Sequence, residues 1–184
     1  MRGSHTMTLH IAFEKSADTF IKQIVKTLAG PYVHTELIVS HATAIPMHTA
    51  YAAYMQETFA LIPQQDFWYE DQTHDFLRVN VSSDELRRID DTCEACVKTK
   101  IPYNTKDMVM SILPLRNPTE KDIYHTRSLF CSQSIVLVLR SCLDANHPLQ
   151  QNLHSVNSRT ITPSQLYAAI RPHSAPACKN QVLG

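Results

Sequence analysis

Cys131 stands in the segment Phe130-Cys131-Ser132-Gln133-Ser134, three residues after Ser128. With Ser128 as N-cap, the thiol falls in the first turn of a helix. There the unpaired N–H groups and the positive end of the helix dipole favour a thiolate, and a thiolate is a nucleophile. The run that follows, Ile135 to Leu139, is apolar all round, as in a helix buried against a sheet. It is also β-branched and reads equally as a buried strand, which would leave Cys131 inert. A thiol nucleophile needs a base, and His34 is the candidate. It lies in the strand-like run Val33-His34-Thr35-Glu36-Leu37, where His34 and Glu36 share a face. A lone strand histidine is also commonly a hydrogen-bonded structural residue. His48, on the next strand candidate, is the first choice for the polar neighbour that fixes the imidazole's tautomer, with Glu36 the second.

A second thiol motif, Cys93-Glu94-Ala95-Cys96, has the CxxC spacing of zinc and redox sites. A structural zinc would need two more ligands, and neither a second cysteine pair nor a helical histidine pair follows. Both thiols fall in mid-helix on an apolar stripe, away from the N-terminal end where a redox thiol is activated. They are expected to be buried core cysteines. Beyond His5, the remaining histidines, at 10, 41, 74, 125, 147, 154 and 173, show no metal-ligand spacing. No metal and no cofactor is expected.

The elements that must hold these residues follow from periodicity. Leu9 to Phe13 reads as a strand. Ser16 or Asp18 would cap a helix with apolar positions Phe20, Ile21, Ile24, Val25 and Leu28, stopped by Gly30-Pro31. Tyr32 to Val39, Ile45 to Tyr54, Thr58 to Ile62 and Phe76 to Val81 read as further strands. Between the last two, Gln64 to Asp75 reads as loop with Trp68 as an anchor. Ser82 and Glu85 make a capping-box pattern before a helix whose apolar face carries Leu86, Ile89, Cys93, Cys96 and Val97. A short helix is expected over 107–113, polar loops over 115–126 and 144–159, and a helix opening at Thr162-Pro163. Residues 1–6 read as an expression scar, residues 7–171 as a single domain, and 172–184 as a mobile tail.

Composition narrows the function. Lys+Arg and Asp+Glu are both 17 in 184 residues, so the basic excess of a nucleic-acid binder is absent and no nucleic-acid partner is expected. Hydrophobic residues at 43% and charged residues at 18% fit a globular protein. Of the three glycines, only Gly30 lies within the expected fold, which excludes glycine-rich phosphate loops. No stretch of about 18 apolar residues occurs, so no transmembrane segment is expected. Five cysteines, an odd number, argue against a disulfide framework. No apolar leader follows Met7, and a cytoplasmic site is expected.

In order along the chain, Gly30-Pro31-Tyr32-Val33-His34-Thr35-Glu36-Leu37, Ile101-Pro102-Tyr103-Asn104, Phe130-Cys131-Ser132-Gln133 and Thr162-Pro163-Ser164-Gln165-Leu166-Tyr167 form a motif series. The series resembles the circularly permuted NlpC-type papain-like proteins, in particular their YiiX-like and large-DNA-virus branch. The group also includes lecithin–retinol acyltransferase-like enzymes. The likeness runs from about Phe13 to Ile170. The histidine strand comes first, 97 residues before the cysteine, as in the permuted group. His48 matches, loosely, a second histidine of the acyltransferase-like members. Asn104 and Gln133 depart from the family's usual Asp and Glu.

The resemblance implies an α+β, papain-like fold, with an antiparallel sheet and the nucleophile at the N-terminus of a packed central helix. It implies a cysteine hydrolase acting on a peptide, amide, or acyl ester or thioester. Cys131 would be the nucleophile, His34 the base and His48 its partner. Glu36 and Tyr103 would serve in substrate binding or the oxyanion hole. The branch further implies a virus-encoded protein of the host cytoplasm or virion. The runner-up is a non-catalytic binding or virion structural module on the same fold.

Overall fold

The computed structural model describes residues 6–41, 47–53, 58–62, 69–106, 108, 128–178 and 182. Six segments form strands: β1 Thr6–Glu14, β2 His34–His41, β3 Met47–Ala53, β4 Phe59–Ile62, β5 His74–Ser82 and β6 Ala175–Ala177. All are antiparallel in one six-stranded sheet of order β4-β3-β2-β1-β5-β6. With helices packed on the sheet, the architecture is α+β.

Leu9, Ile11, Phe13, Leu37, Val39, Leu77 and Val79 point to one face. They join the large core with α2 (Ser83–Lys98), α3 (Cys131–Cys142), α4 (Gln150–Ser155) and α5 (Pro163–Ile170). On the other face Ala12, Ile38, Ala50 and Phe76 form a smaller cluster with Tyr69 and Val182. Every residue from Cys131 to Leu139 is buried. That burial decides the ambiguous run 135–139 in favour of helix, since packing overrides the β-propensity of its valines and isoleucine.

Local capping explains where α1, α2 and α5 begin. Ser82 and Glu85 form the expected capping box on α2, and Thr162 and Gln165 form another on α5. Helix α1 (Phe20–Ala29) is capped by Thr19, not by Ser16 or Asp18. Of its apolar residues only Val25 is buried, packed with Val33, Met108 and Phe130.

Other expectations are corrected. The polar stretch 144–159 contains helix α4, whose Leu153 is buried in the core. The tail after Pro172 supplies β6, which pairs with Phe76–Arg78, and a buried Val182. Strand β1 begins at Thr6, opposite Ser82, one residue inside the segment read as a scar. Trp68, residues 109–113 and the stretch 115–126 lie outside the described residues.

None of the five cysteines is in a disulfide bond; Cys178 is exposed and the other four are buried. Cys93 and Cys96 sit in the core side of α2, where burial pushes the Cys93 thiol up and the Cys96 thiol to about 11. Among the described residues no helix is long and apolar enough to cross a membrane.

Candidate active site

Cys131 is the first residue of α3. Phe130 is the N-cap, in extended conformation with φ −117° and ψ 168°, and it offers no side-chain cap. Ser128 therefore is not the cap. The first turn is closed instead by Ser134 N donating to Phe130 O at 2.9 Å and Ser134 Oγ donating to Cys131 O at 2.7 Å. The buried Ser132 hydroxyl donates to Ile161 O at 2.6 Å, which fastens this turn to the start of α5.

His34 opens β2 at the same end of the molecule. Its place is set by β1: Val33 N donates to Glu14 O at 2.8 Å, and His34 stands opposite Glu14 in the β1–β2 register. The imidazole adjoins the Cys131 thiol. Its Nε2 lies 3.4 Å from Glu36 Oε1, with both side chains nearly nine-tenths buried. Burial pulls the imidazolium down. The neighbouring Cys131 and Glu36 side chains outweigh it and raise the group to about 10. His34 is thus a cation at neutral pH beside a thiol at a helix N-terminus.

Glu36 is reached from behind. Tyr69 Oη donates to Glu36 Oε2 in a short buried hydrogen bond. Glu36 and Phe76 flank Ala12 on either side of β1, and Tyr69 packs in the same cluster as Ala12 and Phe76. Its ring meets Phe76 edge-on at 5.6 Å and His74 edge-on at 5.2 Å.

Tyr103 approaches Cys131 from the other side. Its strap is held by Asn104 N to Leu129 O at 2.7 Å and Leu129 N to Pro102 O at 3.0 Å, directly before α3. The phenol adjoins the Cys131 thiol and backbone. Burial first, and then the thiol's charge, push it well above its ordinary value.

Four of the five residues singled out from the sequence therefore meet: Cys131, His34, Glu36 and Tyr103. His48 does not. The register pairs it with Ser40, six residues along β2 from His34, a separation of roughly 20 Å at about 3.3 Å per residue. Glu36, the second choice, holds the place beside the imidazole, because residues two apart on one strand face the same way. Tyr69 was missed. Its stretch read as loop, and no local pattern tells that a tyrosine 33 residues from Glu36 folds back across the sheet.

No protein-family model matches the chain, and no curated protein matches it. Among solved structures, the chain is similar to the crystal structure of the metalloprotein yiiX from Escherichia coli O157:H7 (DUF1105). The TM-score is 0.48 at 15% identity, covering 96% of this chain and 91% of that one. Among the described residues no group of three or more His, Cys, Asp or Glu side chains is arranged to hold a metal ion.

Proposed function

We propose that the chain is a cysteine hydrolase of the permuted papain-like type, cleaving a peptide or amide bond or an acyl ester or thioester. The observation that carries this reading is the Cys131 thiol, at the first position of a buried helix, beside the His34 imidazole, whose Nε2 lies 3.4 Å from Glu36 Oε1. The motif order from His34 to Cys131 supports it independently.

In this reading Cys131 attacks the substrate carbonyl as thiolate, and His34 then protonates the departing amine or alcohol. Water, deprotonated by His34, releases the acyl group from sulfur. Glu36 orients the imidazole and balances its charge, the task first assigned to His48. The Cys131 N–H and the Tyr103 hydroxyl adjoin one another and form the oxyanion donors. The phenol leaves the Cys131 backbone and donates to the substrate oxygen as it enters.

A second reading, a non-catalytic binding or virion structural module, draws on one observation. Cys131 is only 3% exposed, and its thiol and backbone are already engaged by Tyr103. Limited iodoacetamide labelling at about pH 6, mapped by mass spectrometry, separates the two. The hydrolase reading expects Cys131 to label ahead of the exposed Cys178. It also expects His34→Ala to slow Cys131 alkylation at pH 6. Preferential labelling of Cys178, or a His34→Ala profile that overlays the parent, sinks it.

A further inference from the structure

We propose that Tyr69 is a positioning residue of this site: by donating to Glu36 Oε2, its hydroxyl fixes the carboxylate so that Oε1 faces His34 Nε2. The inference rests on the hydrolase reading for its purpose, and on geometry alone for its existence.

A carboxylate at the end of a glutamate turns about its last bond, and a buried one has little water to hold it. Fixing one oxygen sets the other. Here one oxygen receives the Tyr69 hydroxyl and the other lies 3.4 Å from the imidazole, so the two contacts define a single carboxylate plane. The donor is itself anchored without help from its hydroxyl. The Tyr69 ring is buried, meets His74 and Phe76 edge-on, and shares a cluster with Ala12, Ile38, Ala50 and Val182. The hydroxyl also favours the ionised carboxylate, since a donated hydrogen bond stabilises the charged form. Other ionisable groups around the pair are Cys131 of α3, Tyr103 of the preceding strap, Glu14 of β1 with its partner Lys22 of α1, and His74 of β5.

Tyr69→Phe keeps the ring and removes only the donor. The imidazole titration of His34, followed by NMR on labelled protein, is compared in the parent, Tyr69→Phe, Glu36→Gln and the double variant. Iodoacetamide rates at Cys131 are measured at pH 6 alongside. Tyr69→Phe is expected to lower the His34 midpoint by about one pH unit, a tenfold change in its proton affinity. Cys131 alkylation at pH 6 should slow by a similar factor. The double variant should match Glu36→Gln alone, because Tyr69 acts only through that carboxylate.

A His34 titration unchanged in Tyr69→Phe, or two effects that add, overturns the proposal. The Tyr69 hydroxyl proton gives a readout that needs no change at position 69. It is expected as a slowly exchanging downfield signal in the parent, displaced in Glu36→Gln, and an unmoved signal also overturns the link. An unreactive Cys131 in the parent would sink the hydrolase reading, while the His34 titration would still decide the Tyr69 link.

Discussion

At Gly30 the backbone takes φ 106° and ψ −171°, a region that side chains with a Cβ rarely enter. A methyl group there would also meet Ser164 Oγ at 2.7 Å. That hydroxyl accepts from Tyr32 N at 3.2 Å, so the turn that launches β2, and with it His34, is fastened to α5. Gly30→Ala is expected to cost about 1–3 kcal/mol in urea denaturation, from strain and displacement of Ser164 together. The motifs around Gly30 and Thr162 thus touch, although 132 residues separate Tyr32 from Ser164.

His34 makes a pH-dependent contribution whose sign is fixed. Its folded value of about 10 lies above the unfolded value of about 6.5. The protonated group therefore stabilises the fold fully below about pH 6.5, and that stabilisation is lost as pH rises through 10. Denaturation free energies of the parent and His34→Gln, measured at pH 6, 8 and 10, should differ most at pH 6 and least at pH 10. A gap that widens with pH contradicts the assignment.

Among the elements, α1 runs against its own pattern. Its apolar stripe reads as a buried face, yet Phe20 is 76% exposed and Leu28 58%, while Val25 alone is buried. Phe20→Ala should change stability by less than about 0.5 kcal/mol, as exposed substitutions usually do. Val25→Ala opens a gap beside Val33 and Phe130 and should cost about 1–3 kcal/mol in the same denaturation experiment.

Helix starts were legible where a full capping box marks them, as at Ser82 with Glu85 and Thr162 with Gln165, but not at α1, whose single cap is Thr19. In a capping box the sequence contains both donor and acceptor within four residues. Helix α4 was not legible. It is six residues long, and the burial of Leu153 under the other helices, not its own periodicity, selects it. Ser128 was misread as a cap because Phe130 N-caps α3 with no side-chain bond at all.

At the scale of the whole molecule, the site joins two faces of the sheet. Cys131 belongs to the helical layer, whereas Glu36 and Tyr69 lie with the opposite cluster, and His34 at the end of β2 reaches both. Cys131, His34 and Tyr103 were legible because chemistry and motif order mark them. The choice between His48 and Glu36 depended on the β2–β3 register, which no local spacing supplies. Tyr69 depended on a packing partner across three strands.

The C-terminal segment closes the same face. Truncation after Ser174 removes β6 and the Val182 side chain from the cluster that holds Tyr69. It is expected to cost about 2–4 kcal/mol by urea denaturation, given the apolar surface it uncovers on Phe76 and its neighbours. A truncated chain as stable as the parent would show that this segment is dispensable to the fold.

Strand β6 has one more consequence, for behaviour in concentrated solution. It is three residues long with Pro176 at its centre, and it forms the margin of the sheet beyond β5. A full-length β5 left bare would offer nine residues of backbone to any extended chain that drifted by. Capped by so short a strand, with a residue that lacks an N–H, that margin is a poor template for stacking molecule upon molecule into fibrils.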